Sequence, residues 1–202
     1  MIHLYALPVQ DAWQDLLPAL PPERQQRALA CRNNEAAARI TTAGWLLLQV
    51  LERHGIPRNN QRFTFNPWGK PMLEDMEQLH FSLSHSGSWT VCAIADHPVG
   101  VDAEFPRCSG AIARRYFHPQ EAVYADDPDS LCRIWTAKEA FVKALGVGLT
   151  IPLNSFLICL YENQLQLHQT HTSLPYRLHE YIVDGARICL CCTEEKPELI
   201  LL

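Results

Sequence analysis

No apolar stretch in this chain approaches the ~18 residues of a membrane span. The longest candidate, Trp45 to Leu48, is stopped by Gln49 inside a helical pattern, so no membrane partner is expected. The opening Met1-Ile2-His3-Leu4-Tyr5 lacks the basic and apolar regions of a secretory leader. The expected location is the cytoplasm, where the eight cysteines stay reduced. Lys and Arg form no run and the formal net charge is −5, which argues against a general nucleic-acid binder, because such binding releases counterions through clustered cations. There is no G-x-S-x-G elbow, no P-loop, and no H-x-x-x-H spacing among the nine histidines. Cys189-Leu190-Cys191-Cys192 contains C-x-x-C, but within a strand pattern with no second pair and no following helix. It reads as small buried hydrophobes, and no transition metal is assigned.

What is present is an ordinary folded composition, 48% apolar and 19% charged over 202 residues. A chain of this size buries roughly 70% of the surface of its unfolded form, enough for a core without staples. From the start, Ile2 to Leu7 reads as a strand and Pro21-Pro22-Glu23 as a helix start. Asn33-Asn34 re-caps a second helix, in which Ala37, Ile40, Gly44, Leu47, Leu48 and Leu51 form one stripe ended by Gly55 and Pro57, with Arg39 off that stripe. Strands are expected at Arg62 to Phe65, Leu79 to Ser84 and Trp89 to Ala95, the last two joined through Ser86-Gly87-Ser88, with Pro67 to Pro71 an ordered loop.

A further strand, Val99 to Glu104, puts Val99, Val101 and Ala103 on one face and Gly100, Asp102 and Glu104 on the other. Helices are expected from Gly110 to Tyr116, Pro119 to Ala125 and Ser130 to Leu145, the last capped by Asp129 or Ser130 and stopped by Gly146. Four strands follow, Phe156 to Tyr161, Leu165 to Gln169, Tyr176 to Val183 and Ala186 to Cys192, with Asp184-Gly185 as a hairpin turn. Each half reads strand, helices, strands. The expectation is therefore α+β, with similar halves 1–98 and 99–202 related by a pseudo-twofold and a ligand cleft between them.

Chemistry concentrates on three acids. Asp102 and Glu104 share a strand face and Glu139 comes from a helix, with Lys143 one turn further along the same side. Each acid taken alone reads first as a solvated surface group, or for Glu139 as an i, i+4 salt bridge with Lys143. In context, two carboxylates in an apolar strand are costly unless a cation relieves them. Mg²⁺ takes oxygen ligands, rarely all from protein, and leaves places for a diphosphate. Beside it Lys143 would serve phosphoryl transfer, and Glu139 could take a proton from an incoming hydroxyl. The segment His80 to Ser86 adds hydroxyls and an imidazole, a weak signal by itself.

In order along the chain, Trp68-Gly69-Lys70-Pro71, His80 to Gly87, Gly100-Val101-Asp102-Ala103-Glu104 and Trp135 to Leu149 (WTAKEAFVKALGVGL) resemble the 4′-phosphopantetheinyl transferases of the long, surfactin-synthetase-activating type. The likeness extends to Pro22 through Arg39, to Arg115-Tyr116-Phe117 with Glu121, and to Ile151 through Phe156. It implies an enzyme that moves the phosphopantetheine arm of coenzyme A to a serine of an acyl or peptidyl carrier protein, releasing 3′,5′-ADP, on a fold of two α+β halves. By motif match Asp102, Glu104 and Glu139 would hold Mg²⁺, Glu139 would act as or orient the base, and Lys143 would contact the coenzyme A phosphates. Arg39 and His85 would hold the 3′-phosphate region, Ser84 the neighbouring phosphate, and Gly69, Lys70 and Pro71 the adenine end. The first half would thus bind the nucleotide and the second carry the metal and the catalytic helix.

The chain departs from the family pattern at Ser82 in place of Asn, at Ala103 in place of a bulkier aliphatic, and at Arg24 and Arg27 where lysines often stand. Arg114 and Arg115 read either as a solvated helix flank or as a patch for an acidic carrier. Two halves in one chain make a monomer the expectation. The alternatives are a Mg²⁺-dependent phosphohydrolase of a small diphosphate and a non-catalytic module binding coenzyme A or a carrier.

Overall fold

In the computed structural model, which describes residues 1–107, 110–124 and 126–202, the chain begins with β1 (Ile2–Pro8) and three helices, α1 (Trp13–Leu16), α2 (Pro22–Leu29) and α3 (Asn34–Arg53). Five strands follow: β2 (Phe63–Phe65), β3 (Pro71–Leu73), β4 (His80–Ser86), β5 (Trp89–Ala95) and β6 (Gly100–Glu104). Then come α4 (Gly110–Tyr116), α5 (Pro128–Leu145), β7 (Leu157–Tyr161), β8 (Gln164–His168), β9 (Arg177–Val183), β10 (Ala186–Cys192) and β11 (Leu199–Leu201). The class is α+β, as the sequence pattern predicts.

Local chemistry explains most boundaries. The Asn33 side chain accepts the Ala36 amide at the start of α3. At the other end of the chain's second long helix, α5, Gly146 adopts φ 72°, the left-handed stop that glycine takes without a Cβ penalty. The start of α5 corrects the expected cap: Asp127, not Asp129 or Ser130, caps it by accepting the Asp129 amide, and Pro128 takes the first turn, where its missing N–H costs nothing. The segment Pro119–Tyr124 is a 3₁₀ turn rather than an α-helix, and the expected end at Ala125 lies outside the described residues. Pro71, expected in a loop, opens β3.

One sheet has the order β11-β1-β5-β4, antiparallel except for the parallel β1/β11 pair; a second has the order β6-β10-β9. Strand alternation sorts their side chains into layers. Trp89, Val91 and Ala93 of β5, Val101 and Ala103 of β6, and Ile188 and Leu190 of β10 share one core between the sheets. Cys92 and Ile94 face the opposite way, against Leu46, Leu47 and Val50 of α3. Cys189 and Cys191 face α5, through Ile134, Ala137 and Phe141. Each sheet thus carries one long helix on its outer face. Cys189, Cys191 and Cys192 are free thiols, and burial pushes all three up, Cys192 to about 11, consistent with buried hydrophobes rather than reactive groups.

The edge strands β4 and β6 meet without a shared ladder. Instead, Ser82 Oγ accepts the Val101 amide at 3.0 Å and Ser84 Oγ the Ala103 amide at 3.2 Å. Two hydroxyls at i and i+2 supply acceptors that buried edge amides would otherwise lack. Ser82, which stands where the family resemblance expects Asn, is therefore part of the seam that sets β4 against the acids of β6.

Candidate active site

Gly100 decides how closely α5 packs on β6. A Cβ built there would stand 1.9 Å from the Ala140 carbonyl oxygen and 2.4 Å from the Ala144 amide nitrogen, so only a bare backbone lets α5 lie flush on β6. That contact carries the next turns of α5 over the polar face of β6. Lys143 Nζ bonds Asp102 Oδ1 at 2.7 Å, the Val101 carbonyl at 3.1 Å and the Leu83 carbonyl at 3.4 Å. Asp102 is buried, and its Oδ1 also accepts Ser84 Oγ at 2.7 Å. The sequence allowed Lys143 to pair with Glu139 one turn away; the structure corrects this to Asp102, because a buried carboxylate without a cation is the costlier group.

Glu139 consequently stands half-buried with no hydrogen-bond donor or salt-bridge cation on it among the described residues. Loss of solvent pushes its carboxyl up first and the neighbouring Asp102 charge adds to this, with Lys143 opposing. Glu104 Oε1 accepts Ser86 Oγ and the Phe105 amide, the latter at 2.8 Å. Ser84 and Ser86, two apart on β4, thus hold the two acids of β6, themselves two apart.

A cleft of about 520 Å³ opens over this face, lined by Ser84, His85, Glu139 and Lys143 on one side and by Gly69, Lys70 and Pro71 on another. Arg24 and Arg27 of α2 also reach it, and among the described residues neither forms a salt bridge. Arg39 and Glu104 line an adjoining groove instead, and His85 belongs to both. Arg39 lies 3.7 Å from Glu35. Incomplete solvation holds the His85 imidazole below its ordinary range, and the charges of Lys143, Arg39 and Arg24 push the same way. The Lys70 ammonium donates to the Val99 carbonyl at 3.1 Å and the Lys143 carbonyl at 2.6 Å, and burial holds it down at about 8.

The three acids offer the hard oxygen donors that suit Mg²⁺, and the unrelieved Glu139 beside a buried Asp102 is the kind of site a divalent cation would complete. Their carboxylate oxygens do not all lie within 4.8 Å of one another; among the described residues that spacing is met by Asp96, His97 and Glu194, where the Met1 amino group already bonds both acids.

Sequence reasoning named Ser86 only within a hydroxyl-bearing strand end and turn, with the strand stopping at Ser84; β4 runs on through Ser86, and the alternation Ser82, Ser84, Ser86 was a readable signal of its place beside Glu104. That reasoning missed Lys138. That residue and Glu121 are fully buried, paired at 2.8 Å, and satisfied besides by the Leu153 and Phe156 carbonyls and the His118 and Ile158 amides. The network fixes the outer side of α5, opposite the cleft.

Comparison with known proteins shows the family of the chain. A family model described as the 4′-phosphopantetheinyl transferase superfamily matches residues 98–191, which hold β6 and α5. The 4′-phosphopantetheinyl transferase ffp of Bacillus subtilis is 31% identical over 96% of this chain and 91% of its own length. The transferase Sfp of Bacillus subtilis strain 168 is 29% identical over the same shares. The transferase gsp of Aneurinibacillus migulanus is 35% identical over 73% of this chain, which spans 63% of that relative. With one relative above 30% identity matched nearly end to end, the chain belongs to the 4′-phosphopantetheinyl transferase family, and it is an enzyme of the transferase class.

Proposed function

We propose that this protein transfers the 4′-phosphopantetheine arm of coenzyme A to a serine hydroxyl of an apo acyl or peptidyl carrier protein, releasing 3′,5′-ADP. The observation that carries the reading is the unpartnered Glu139 facing the cleft beside the Asp102–Lys143 pair. The carrier serine oxygen bonds to the phosphorus on the pantetheine side of the diphosphate, and the bridging P–O bond breaks, its electron pair leaving with 3′,5′-ADP. Glu139, which lines the cleft with no hydrogen-bond donor on it among the described residues, takes the serine proton.

Lys143, anchored by two backbone carbonyls as well as Asp102, presents a fixed cation to the phosphates rather than one that must reorganise. Arg24 and Arg27 supply further positive charge to the cleft, and Gly69 to Pro71 its nucleotide-side wall. Arg39 and His85 stand at the junction with the adjoining groove, where a 3′-phosphate would be held. Asp102, Glu104 and Glu139 are the residues that would hold Mg²⁺, which when bound neutralises charge on the diphosphate. On α4, Arg114 and Arg115 are exposed next to Tyr116, a basic and aromatic patch for an acidic carrier. A cytoplasmic monomer is the form in which we expect this activity.

The test is to incubate the protein with coenzyme A, Mg²⁺ and a panel of apo carriers and to weigh the carriers by mass spectrometry. A gain of one phosphopantetheine on a carrier serine supports transfer. Cleavage of coenzyme A at the same rate with and without carrier would instead establish a phosphohydrolase.

A further inference from the structure

The loop that walls the nucleotide side of the cleft is attached to the end of α5 by two side chains, Asn66, to which the reaction gives no role, and Lys70, named so far only as part of that wall. Asn66 Nδ2 donates to the Gly146 carbonyl at 2.6 Å, while its Oδ1 accepts the Trp68 amide at 3.0 Å and the Lys70 amide at 2.9 Å. Lys70 Nζ donates to the Lys143 carbonyl in the last turn of α5 and to the Val99 carbonyl just ahead of β6. A helix ends with carbonyls that have no partner in the helix and carry partial negative charge. Here a cation and an amide from another element satisfy them.

The contact is close. A Cβ on Gly146 would come within 3.2 Å of Lys70 Cδ and 3.4 Å of Asn66 Nδ2, and one on Gly148 within 3.6 Å of the Trp68 carbonyl. Lys143, whose carbonyl Lys70 holds, is the residue whose ammonium enters the site.

We infer that Asn66 and Lys70 are positioning residues that clasp the cleft wall 66–71 to the C-terminal turn of α5, so that the wall receiving the substrate and the turn presenting Lys143 move as one body. This rests on the transfer reading for what the clasp serves, but not for its existence. A different role for Lys70 would follow if its ammonium met the phosphates directly; both of its described hydrogen bonds go to protein carbonyls instead.

The test uses Asn66→Asp, Lys70→Met and the double variant in the full chain. Asn66→Asp keeps the acceptor that orders the loop and replaces the donor to Gly146 by a carboxylate oxygen that repels that carbonyl, so it breaks the clasp while leaving the loop's own hydrogen bonds. Amide hydrogen exchange of 142–146 is read in each, without substrate, alongside kcat and KM for coenzyme A. The expected result is exchange in that turn at least tenfold faster in both single variants. With it should come about a tenfold loss in kcat, a KM shift under threefold, and a double variant no worse than about the larger single loss. Losses that multiply, or a Lys70→Met effect confined to KM with Asn66→Asp inert, would overturn the clasp and make Lys70 a substrate ligand. Unchanged exchange in both single variants would overturn it too. Should wild-type protein label no carrier, the transfer reading falls while the exchange measurements still decide the clasp.

Discussion

Replacing Gly100 by alanine tests whether the seating of α5 on β6 sets the site. The added Cβ meets backbone, not a side chain that could swing away: the Ala140 oxygen at 1.9 Å and the Ala144 nitrogen at 2.4 Å. Ordinary contact begins at 3.4 Å, so helix and strand must part by about 1.5 Å. Overpacking of this kind costs about 1–3 kcal/mol, which a domain with about 5–15 kcal/mol of stability survives. The same displacement opens the 2.7 Å Lys143–Asp102 contact and withdraws Glu139 from Asp102. A misplacement of about 1 Å is worth roughly a hundredfold in rate, so kcat/KM for carrier labelling should fall at least that far. Urea unfolding at the assay temperature establishes that the variant is folded, and steady-state labelling of an apo carrier gives the rate. A folded Gly100→Ala protein with kcat/KM within threefold of wild type would refute the claim that this contact positions the catalytic groups.

Three further outcomes follow from the charges. Because the folded-state pKa of Glu139 is raised, the native protein holds that proton better than the unfolded chain, and the ionised carboxylate costs stability as pH rises above its ordinary range. Glu139→Gln should therefore raise the metal-free Tm near pH 7, while turnover falls by orders of magnitude; a lower Tm in calorimetry contradicts this. Lys138→Met leaves Glu121 charged and buried, at a cost of about 3–5 kcal/mol in urea unfolding, and Lys138→Met with Glu121→Gln should recover part of it. A single-variant loss under about 1 kcal/mol would mean the pair is not the structural tie described. Lys70 has a folded pKa of about 8 against 10.5, so the unfolded chain binds its proton more tightly; the cost of burying the charge is complete below about pH 8 and relieved between 8 and 10.5. With only four lysines in the chain, NMR of labelled lysine side chains should resolve one titrating near 8. Four ordinary midpoints would remove that burial.

How much was legible varies with the range of the interaction. The alternation in Val99 to Glu104 placed its apolar residues in the inter-sheet core and its acids toward α5 because a strand's two faces are a local property. Asn33 and Gly146 marked helix ends for the same reason. The start of α5 was misplaced by two residues although Pro128 stood at a position that favours the first turn. The return of β11 to pair in parallel with β1 carried no local signal, since three residues at the far end of the chain found their partner only across the folded molecule.

By itself, the order of side chains put two acids on one face of a strand and an acid and a lysine one turn apart on a helix. Tertiary structure alone decided what those residues do to one another. It gave Lys143 to Asp102 rather than to its neighbour Glu139, bonded Lys70 to backbone carbonyls at the end of α5 and ahead of β6, buried Lys138 against Glu121, and left Glu139 without a hydrogen-bond or salt-bridge partner among the described residues. The reason is that a charge's best partner depends on burial and on every group within a few ångströms, and both are set by packing between segments distant in the chain.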